Sequence, residues 1–259
     1  MPTALGRVVS IDVAVTDLES SADLLLAWSA EARGRYVCAV NVHMTMEAHD
    51  SADFRQVVAG SALAVPDGAP IVWALRLLGH RRATRVFGPD LMEALLHRAA
   101  LRGVPVGLYG GTDGSLATFT AAAARRWPGL RVAVAIAPPF RPLGPEEDAE
   151  VVARIAASGA RLLFVGLGCP KQERWMAEHA PRLPCLMVGV GQAFDLLAGV
   201  TRRPPEWMHR AGLGWLHRLA HEPRRLWRRY LWNNPRFVAL LALQWARGAL
   251  SRGSGAAPG

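Results

Sequence analysis

Asp67 lies in a Pro-Asp-Gly turn between a predicted strand and a predicted apolar helix. A carboxylate at the end of a parallel strand faces the edge of the sheet where ligands bind, and there it can act as a general base. Aspartate is also common in turns and at helix N-caps, where it only satisfies backbone N–H groups. The turn alone favours this second interpretation, so other residues must support a catalytic role.

Three further predicted strands end in glycine-containing turns: VGLYGGTDGS (106–115), LLFVGLGCPKQE (162–173) and LMVGVGQAFD (186–195). Glycine after a parallel strand lets the backbone approach a phosphate at the N-terminus of the next helix. A single such turn is weak evidence, because most tight strand-to-helix turns contain glycine. Three in one chain favour a phosphate-bearing ligand, and the lack of a GxGxxG motif argues against a dinucleotide enzyme.

The sequence contains little that would bind a metal. His43 and His49 are six residues apart, which is poor spacing for one ion, and they are interpreted as surface or packing residues. No acidic pair follows a predicted strand, so no clamp for a divalent cation is expected. Cys38, Cys169 and Cys185 do not form a CxxC motif, which argues against a zinc site or a disulfide framework and fits a reducing, cytosolic compartment.

Positive charge is concentrated near the C-terminus. Residues 201–236 contain nine arginines and two acids, a net +7 within a chain whose net charge is +9. Four tryptophans lie among the arginines, at positions 207, 215, 227 and 232. Arginine suits phosphate oxygens, and tryptophan favours the boundary between water and lipid headgroups. The segment therefore predicts a surface that binds phosphates at a membrane, with a solvated basic face or a nucleic-acid patch as alternatives.

At 259 residues the chain can bury a full core. Half of its residues are apolar, which excludes a disordered protein. The N-terminus shows no signal-peptide pattern, and the longest late apolar run, Phe237 to Leu243, is far shorter than the roughly 20 residues of a spanning helix. Any contact with a membrane is therefore expected to be peripheral.

Short apolar runs alternate with helical patterns over residues 1–200, which predicts an α/β fold with a mostly parallel, Rossmann-like sheet and helices on both faces. The predicted strands are 7–15, 36–40, 62–65, 104–109, 131–136, 162–165 and 186–188. The predicted helices are 18–32, 53–60, 71–78, 90–102, 114–127, 145–158 and 171–179.

After Gly199 the pattern changes to helices over about 206–221, 224–232 and 236–248, which Pro223 and Pro235 are expected to separate. The predicted division is an α/β nucleotide-sugar-binding body at 1–200, a helical arginine-rich appendage at 201–251 and a flexible tail at 252–259. Arg218, Arg225 and Arg228 would share one face if the helices were continuous.

Several motifs together resemble the WecG/TagA/CpsF glycosyltransferases, bacterial enzymes that extend lipid-linked sugars. The resemblance covers about residues 41–237 and lies in these segments: VNVHMTMEAHDSADF, AVPDGAPIVWALRLLG, TRVFGPDLMEAL, GLYGG, FVGLGCPKQERWM, GVGQAFDLLAGVTRRPPEWM and GWLHRLAHEPRRLWRRYL. Ala39, Gly214 and Pro204 depart from residues common in the family, and the first departure bears on contacts to the donor sugar.

The resemblance implies an inverting, metal-independent transfer of a sugar, such as N-acetylmannosamine or its uronic acid, from a UDP-sugar to an undecaprenyl-diphosphate-linked sugar. It implies Asp67 as the base that takes the proton of the acceptor hydroxyl. It requires no cofactor. The site residues expected to bind substrate, from the resemblance and the glycine turns, are Asn41, Arg85, Gly110, Gly111, Gly168, Gln172, Glu173, Gly191, Asp195, Arg218, Arg225 and Arg228.

The expected partners are the UDP-sugar, the polyprenyl-diphosphate-linked acceptor and an anionic membrane surface on the cytoplasmic side, without nucleic acid. An exposed apolar face on the last helices would suit a bilayer or a second copy of the chain, so a homo-oligomer stays open. Two other functions are compatible with parts of the pattern: a nucleotide-binding oxidoreductase of Rossmann type, and a basic adaptor that binds lipid or nucleic acid.

Overall fold

The computed structural model describes residues 4–201, 203–205, 207–208 and 211–253, without the side chains of Arg225 and residues 251–253. The chain begins with an antiparallel hairpin of β1 (Leu5–Val8) and β2 (Ile11–Ala14), which forms a sheet of its own. The prediction of one strand over 7–15 is therefore wrong. The turn is unusual because Val9, a β-branched residue, has a left-handed φ of 55°, a conformation that its sequence does not signal.

Six strands form the main sheet, and every pair of neighbours in it is parallel. Their order across the sheet is β4-β3-β8-β7-β5-β6. Their bounds are β3 (Arg35–Val40), β4 (Leu63–Pro66), β5 (Val106–Gly110), β6 (Val132–Ile136), β7 (Leu162–Gly166) and β8 (Leu186–Gly189). The predicted α/β class with a parallel sheet is confirmed, and these six strands were all expected within two residues of their observed ends.

Helices cover both faces of this sheet. Successive residues of one strand enter opposite cores: Leu162 and Phe164 of β7 belong to one hydrophobic cluster, and Leu163 and Val165 to the other. The helices that cover the sheet are α1 (Leu18–Ser29), α2 (Val42–Asp50), α3 (Ala52–Ala59), α4 (Ala69–Leu77), α5 (Gly88–Arg102), α6 (Asp113–Arg126), α7 (Pro145–Ala157), α8 (Lys171–His179) and α9 (Ala193–Leu197). The sequence analysis did not predict α2 and α9.

The described part of the C-terminal segment includes α10 (Gly214–His221) and α11 (Pro223–Gly253). Pro223 begins α11, where its fixed φ suits the first helical turn. Pro235, however, lies inside the helix, and the predicted break there is wrong. Its position is exposed while Asn233 and Phe237 on either side are buried, so water can solvate the carbonyl that lacks a partner and packing keeps the helix continuous.

We call residues 214–237 the lid, since they lie over the carboxyl ends of the strands. Outside the cavity, contacts between described residues fasten the lid and its flanks to the rest of the chain. Arg203 pairs with Asp90 and Glu93 of α5, at 2.9 and 2.7 Å. Arg236 binds both carboxylate oxygens of Asp50, at 2.9 and 2.6 Å.

A further contact joins the far half of α11 to the N-terminal hairpin. The Val9 N–H donates to Gln244 Oε1, and Gln244 Nε2 donates to the Arg7 carbonyl, both at 2.8 Å. The helix thus satisfies the backbone of the strained turn. Among the described residues, no helix is both long enough and apolar enough to cross a bilayer.

Candidate active site

A cavity of about 500 Å³ lies between the lid and the carboxyl ends of four neighbouring strands. The loops after β3, β4, β7 and β8 form its floor, and lid residues form its roof. This is the edge of a parallel sheet at which ligands are expected to bind. A second, apolar depression between α6 and β6 has Asp113 as its only charged lining residue and lacks a comparable set of polar groups.

Asp67 lies on the floor of the cavity, directly after β4. Its Oδ1 accepts a hydrogen bond of 2.8 Å from the Gly88 N–H. Burial raises the pKa of this carboxyl, and that effect outweighs the opposing influence of Arg85, Gly88, Asn41 and Arg218. A carboxylate with a raised pKa binds a proton more readily, as a general base must.

Asn41 is held in place by the start of α2. Its Oδ1 caps the helix by accepting 3.2 Å from the Met44 N–H, which leaves the amide nitrogen to donate to Asp67. Gly68 packs closely against Asn41, because a Cβ on Gly68 would lie 3.3 Å from Asn41 Cβ. The cap therefore fixes the orientation of an amide that supports the ionised form of Asp67.

Arg85 also lies in the cavity, as expected. Its Nε donates 2.7 Å to the Asp67 carbonyl, and its guanidinium lies 4.5 Å from the centre of the Phe87 ring. The side chain is thus held at its base and along one face, which orients a cation beside the carboxylate.

Gln172 joins two of the glycine turns. Its Oε1 accepts from the N–H groups of Gly168 and Gly191, each at 3.1 Å, although these residues follow different strands. All three residues line the cavity. Gly189 makes room for this amide, because a Cβ there would lie 2.9 Å from Gln172 Nε2. Gln172 thus fixes the spacing of the turns after β7 and β8.

The third glycine turn lies elsewhere. Gly110 and Gly111 have left-handed φ values of 126° and 70°, and neither is among the residues that line the cavity. A Cβ on Gly110 would lie 2.5 Å from the Gly166 carbonyl oxygen, so this glycine permits close contact between β5 and β7. The structure gives both residues a role in packing and turn geometry outside the cavity lining.

Two predicted acidic site residues also lie outside the cavity lining. Glu173 is completely buried, with an exposed fraction of 0%, and its side chain lies behind Gln172. Asp195 is in α9, where its backbone carbonyl accepts from the N–H groups of Val200 and Thr201 and closes the turn that leads to the C-terminal segment. Neither carboxylate faces the cavity in this structure.

The predicted lid arginines have different placements. Arg218 lines the cavity, donates 2.7 Å to Gln192 Oε1 and lies near enough to Asp67 to lower the pKa of that carboxyl. Arg228 is exposed, and its guanidinium lies 5.2 Å from the Trp227 ring centre. A face shared with Arg218 was expected only for continuous helices, and α10 and α11 are separate. The side chain of Arg225 lies outside the described residues.

The sequence analysis did not identify Arg229 as a site residue. Arg229 lines the cavity, whereas Arg228 does not. The periodicity of a single continuous α11 would have found it, because Leu226, Arg229 and Asn233 are three and four residues apart and all face the body. The helix break predicted at Pro235 ended the expected helix before Asn233, so this spacing was not recognised.

The comparison with known protein families decides among the possible functions. The model of the glycosyl transferase WecG/TagA/CpsF family matches residues 7–251 of the chain. The chain belongs to the WecG/TagA/CpsF family. Membership makes the chain a glycosyltransferase of cell-wall polysaccharide synthesis. This function is favoured over the oxidoreductase and adaptor alternatives.

In this glycosyltransferase a histidine connects the floor of the cavity to the lid. The Asn233 amide nitrogen of the lid lies 3.3 Å from His43 Nδ1, and the backbone of Cys169 forms a further hydrogen bond with the ring. Burial and the charge of Arg229 lower the pKa of His43 to about 4. His43 was expected to be a surface or packing residue, but as a neutral imidazole it joins three elements of the cavity wall.

Taken together, the glycosyltransferase cavity combines a carboxylate on its floor with at least three cations around it, Arg85, Arg218 and Arg229. Among the residues that the structure describes, no group of three or more histidines, cysteines and acids is arranged to hold a metal ion. The arrangement can remove a proton at Asp67 and stabilise negative charge beneath the lid.

Proposed function

We propose that the chain transfers a sugar, of the N-acetylmannosamine type or a related hexose, from a UDP-sugar to an undecaprenyl-diphosphate-linked sugar. The transfer is inverting and needs no metal, and Asp67 is its general base. The observation that carries this proposal is the position of Asp67, a carboxylate of raised pKa on the cavity floor within the field of Arg218 from the lid.

In an inverting transfer, one acceptor hydroxyl attacks the anomeric carbon while the bond to UDP breaks on the opposite face. The attacking oxygen becomes more acidic as the bond forms, and Asp67 takes its proton. Asn41 and the Gly88 N–H hold the carboxylate in a fixed orientation, which supports efficient proton transfer. The leaving group departs as UDP with one more negative charge on its diphosphate.

The arginines around the cavity are suited to that charge. Arg85 lies beside the carboxylate, and Arg218 and Arg229 approach from the lid. Cations that are already in place stabilise developing charge without reorganisation, and this effect is larger in a site shielded from water. The same guanidinium groups suit the diphosphate of a polyprenyl acceptor, which supports an acceptor of that class.

The outer face of α11 supports a peripheral position on an anionic membrane at the cytoplasmic face. Trp227, Leu231, Trp232 and Val238 all lie on this helix and are 45–67% exposed. Arg224 and Arg228 are exposed near its start. Apolar side chains beside arginines suit the interface of a bilayer that contains acidic lipids. A lid that contacts the membrane would bring a lipid-linked substrate to the cavity.

A transfer assay tests the proposal. The purified protein is incubated with a panel of UDP-sugars and a short-chain polyprenyl-diphosphate N-acetylglucosamine, with and without EDTA. We expect one UDP-sugar to give a disaccharide-lipid product with inverted anomeric configuration, at a rate that EDTA leaves unchanged. No product with any UDP-sugar, retained configuration, or loss of activity in EDTA would each contradict the corresponding part of the proposal.

A further inference from the structure

The first half of α11 places a buried amide, that of Asn233, at the roof of the cavity. The residue is 8% exposed and lines the cavity. A buried amide is unfavourable unless it finds hydrogen-bond partners, so its neighbours indicate its role. Its Nδ2 lies 3.3 Å from Nδ1 of His43, which belongs to α2 on the floor side. A direct contact between side chains therefore joins the lid to the body within the cavity wall.

This contact defines the form of the His43 ring. An amide nitrogen can only donate, so a hydrogen bond from Asn233 requires an unprotonated Nδ1, and the proton of the neutral ring lies on Nε2. The side chain of His43 is 15% exposed, and burial disfavours its charged form. The geometry and the burial both favour a neutral imidazole that accepts from the lid.

Groups from three elements face this ring. Burial, together with the positive charge of Arg229 from α11, lowers the pKa of His43 to about 4, and the backbone of Cys169 in the loop after β7 opposes that shift. On α2 itself, Glu47 Oε1 lies 3.6 Å from His43 Nδ1, and the Glu47 side chain is 39% exposed. The ring is therefore neutral at pH 7, as the contact with Asn233 requires.

The position of Asn233 along α11 gives the contact its importance. Arg229 lies four residues before it and lines the cavity, and Phe237 lies four residues after it and enters the core. Residues four apart share one face of a helix. The bond to His43 thus lies between the packed part of α11 and the guanidinium at the roof, where it can fix how the inner face of the helix is presented to the cavity.

We propose that His43 is a positioning residue whose neutral imidazole holds Asn233, and with it the inner face of α11, over the cavity. Protonation of Nδ1 replaces the acceptor with a donor that faces the donating amide, so acidification should release the contact. The effect on transfer rests on the proposed function, in which Arg229 stabilises charge beneath the lid. The contact itself is a property of the folded chain.

Two substitutions at His43 isolate the acceptor. In His43→Asn the side-chain oxygen can take the place of Nδ1 and accept from Asn233. His43→Leu fills the site with an apolar side chain that has no acceptor. His49→Asn, at an exposed position on the same helix, is the matched control.

The first measurement is amide hydrogen exchange of the full-length protein at pH 7, resolved by NMR. In His43→Leu we expect exchange in residues 226–233 to be about fivefold faster or more relative to the amides of β5 and β7, because a buried amide loses its partner. In His43→Asn it should stay within about twofold of wild type. Equal lid exchange in these two variants would overturn the proposal. If His43→Leu does not fold, the ring titration decides.

That titration follows the ring nitrogens of His43 by NMR, with the signals identified by their loss in His43→Asn. In wild type we expect the proton on Nε2 at pH 7 and a ring that stays neutral until the pH approaches about 4. In Asn233→Asp a carboxylate faces the ring, so the titration should move up by about 1–3 pH units. A proton on Nδ1 in wild type, or a titration that Asn233→Asp leaves unchanged, would refute the contact.

Transfer kinetics give the catalytic consequence. In His43→Leu we expect kcat to fall about fivefold or more while KM for the donor stays within about twofold, with a smaller loss in His43→Asn. A wild-type kcat in His43→Leu would contradict a role in positioning for transfer. If wild-type protein shows no transfer, the proposed function fails, and the exchange and titration results stand on their own.

Discussion

Asp67, the proposed general base, lies in an environment that reduces the stability of the fold. Its carboxylate is surrounded by protein and faces the cavity, and burial raises its pKa. The fold therefore disfavours the ionised form relative to the unfolded chain. With the pKa higher in the folded state, the free energy of unfolding decreases as the pH rises from the unfolded-state value of about 3.9 through the folded-state pKa.

Asp67→Asn keeps an oxygen for the Gly88 N–H but has no charge to bury, so the melting temperature at pH 7 should rise above that of wild type. The difference should diminish as the pH falls below about 4, where both states of Asp67 bind a proton. Thermal melts across this pH range provide the test, and a variant that melts below wild type at pH 7 would contradict it.

Asp53→Asn is the control for that experiment. Asp53 is an exposed aspartate in the first turn of α3, where a negative charge interacts favourably with the helix dipole. Its replacement should lower stability by about 0.3–1 kcal/mol, opposite in sign to the effect at Asp67.

The placement of several residues around the cavity could be predicted from residue types, because each of them follows a strand. Asp67, Gly168 and Gly191 each follow a predicted strand, and the ends of parallel strands meet at one edge of the sheet. The sequence does not show on which side of α8 the Glu173 carboxylate lies, so its placement outside the cavity lining could not be predicted. The placement of Gly110 could not be predicted either, because a glycine needed for contact between β5 and β7 has the same local signature as one that approaches a ligand.

At the scale of elements, α11 combines two halves with different chemistry. Its first half contributes Arg229 and Asn233 to the cavity, and its second half is fastened to the hairpin through Gln244. Between them Phe237, 2% exposed, enters the core cluster that also contains Met44 and Met46 of α2. This packing, rather than the surface ion pairs, should hold the lid in place.

Neighbouring substitutions on α11 test that statement. Phe237→Ala should reduce the free energy of unfolding by about 3–5 kcal/mol, as expected for a large side chain removed from a core. Arg236→Gln removes an ion pair with Asp50 in which both side chains are substantially exposed, and it should change the stability by less than about 1 kcal/mol. Chemical denaturation measures both, and equal losses would contradict the assignment.

The hairpin and the continuous α11 are two of the elements that the sequence analysis did not predict, and they share a physical reason. Val9 tolerates a left-handed φ in a structure where its N–H donates to Gln244, 235 positions further along the chain. Pro235 stays within a helix whose flanking residues are buried on the body. Local preference opposes each conformation, and distant tertiary contacts overcome it, so a reading of neighbouring residues cannot detect either one.

The two faces of the lid differ in their chemistry. The inner face is polar and lines the cavity, whereas the outer face has exposed apolar side chains, including Leu231 and Trp232 at 67% each. The proposed substrate has the same division, since its diphosphate is charged and its polyprenyl chain is apolar. A single helix can therefore contact both parts of it.

Replacing both Leu231 and Trp232 with serine should weaken binding to phosphatidylglycerol–phosphatidylcholine vesicles by about tenfold or more. Full burial of a large apolar side chain, here in the bilayer interface, contributes roughly 1.5–3 kcal/mol. Transfer to a short-chain acceptor in solution should persist. Leu101→Ser, at an exposed position on α5, is the control. Cosedimentation at two salt concentrations makes the measurement, and unchanged binding by the double variant would place the membrane contact elsewhere.

The central claim is that Asp67 takes the proton of the acceptor hydroxyl beneath the lid. The most direct test is the single-turnover rate of sugar transfer by Asp67→Asn, measured alongside its affinity for UDP. A general base contributes typically 10²–10⁴-fold, so the rate should fall by about that factor while UDP affinity stays within about twofold of wild type. Transfer at the wild-type rate by a folded, UDP-binding Asp67→Asn variant would contradict the account.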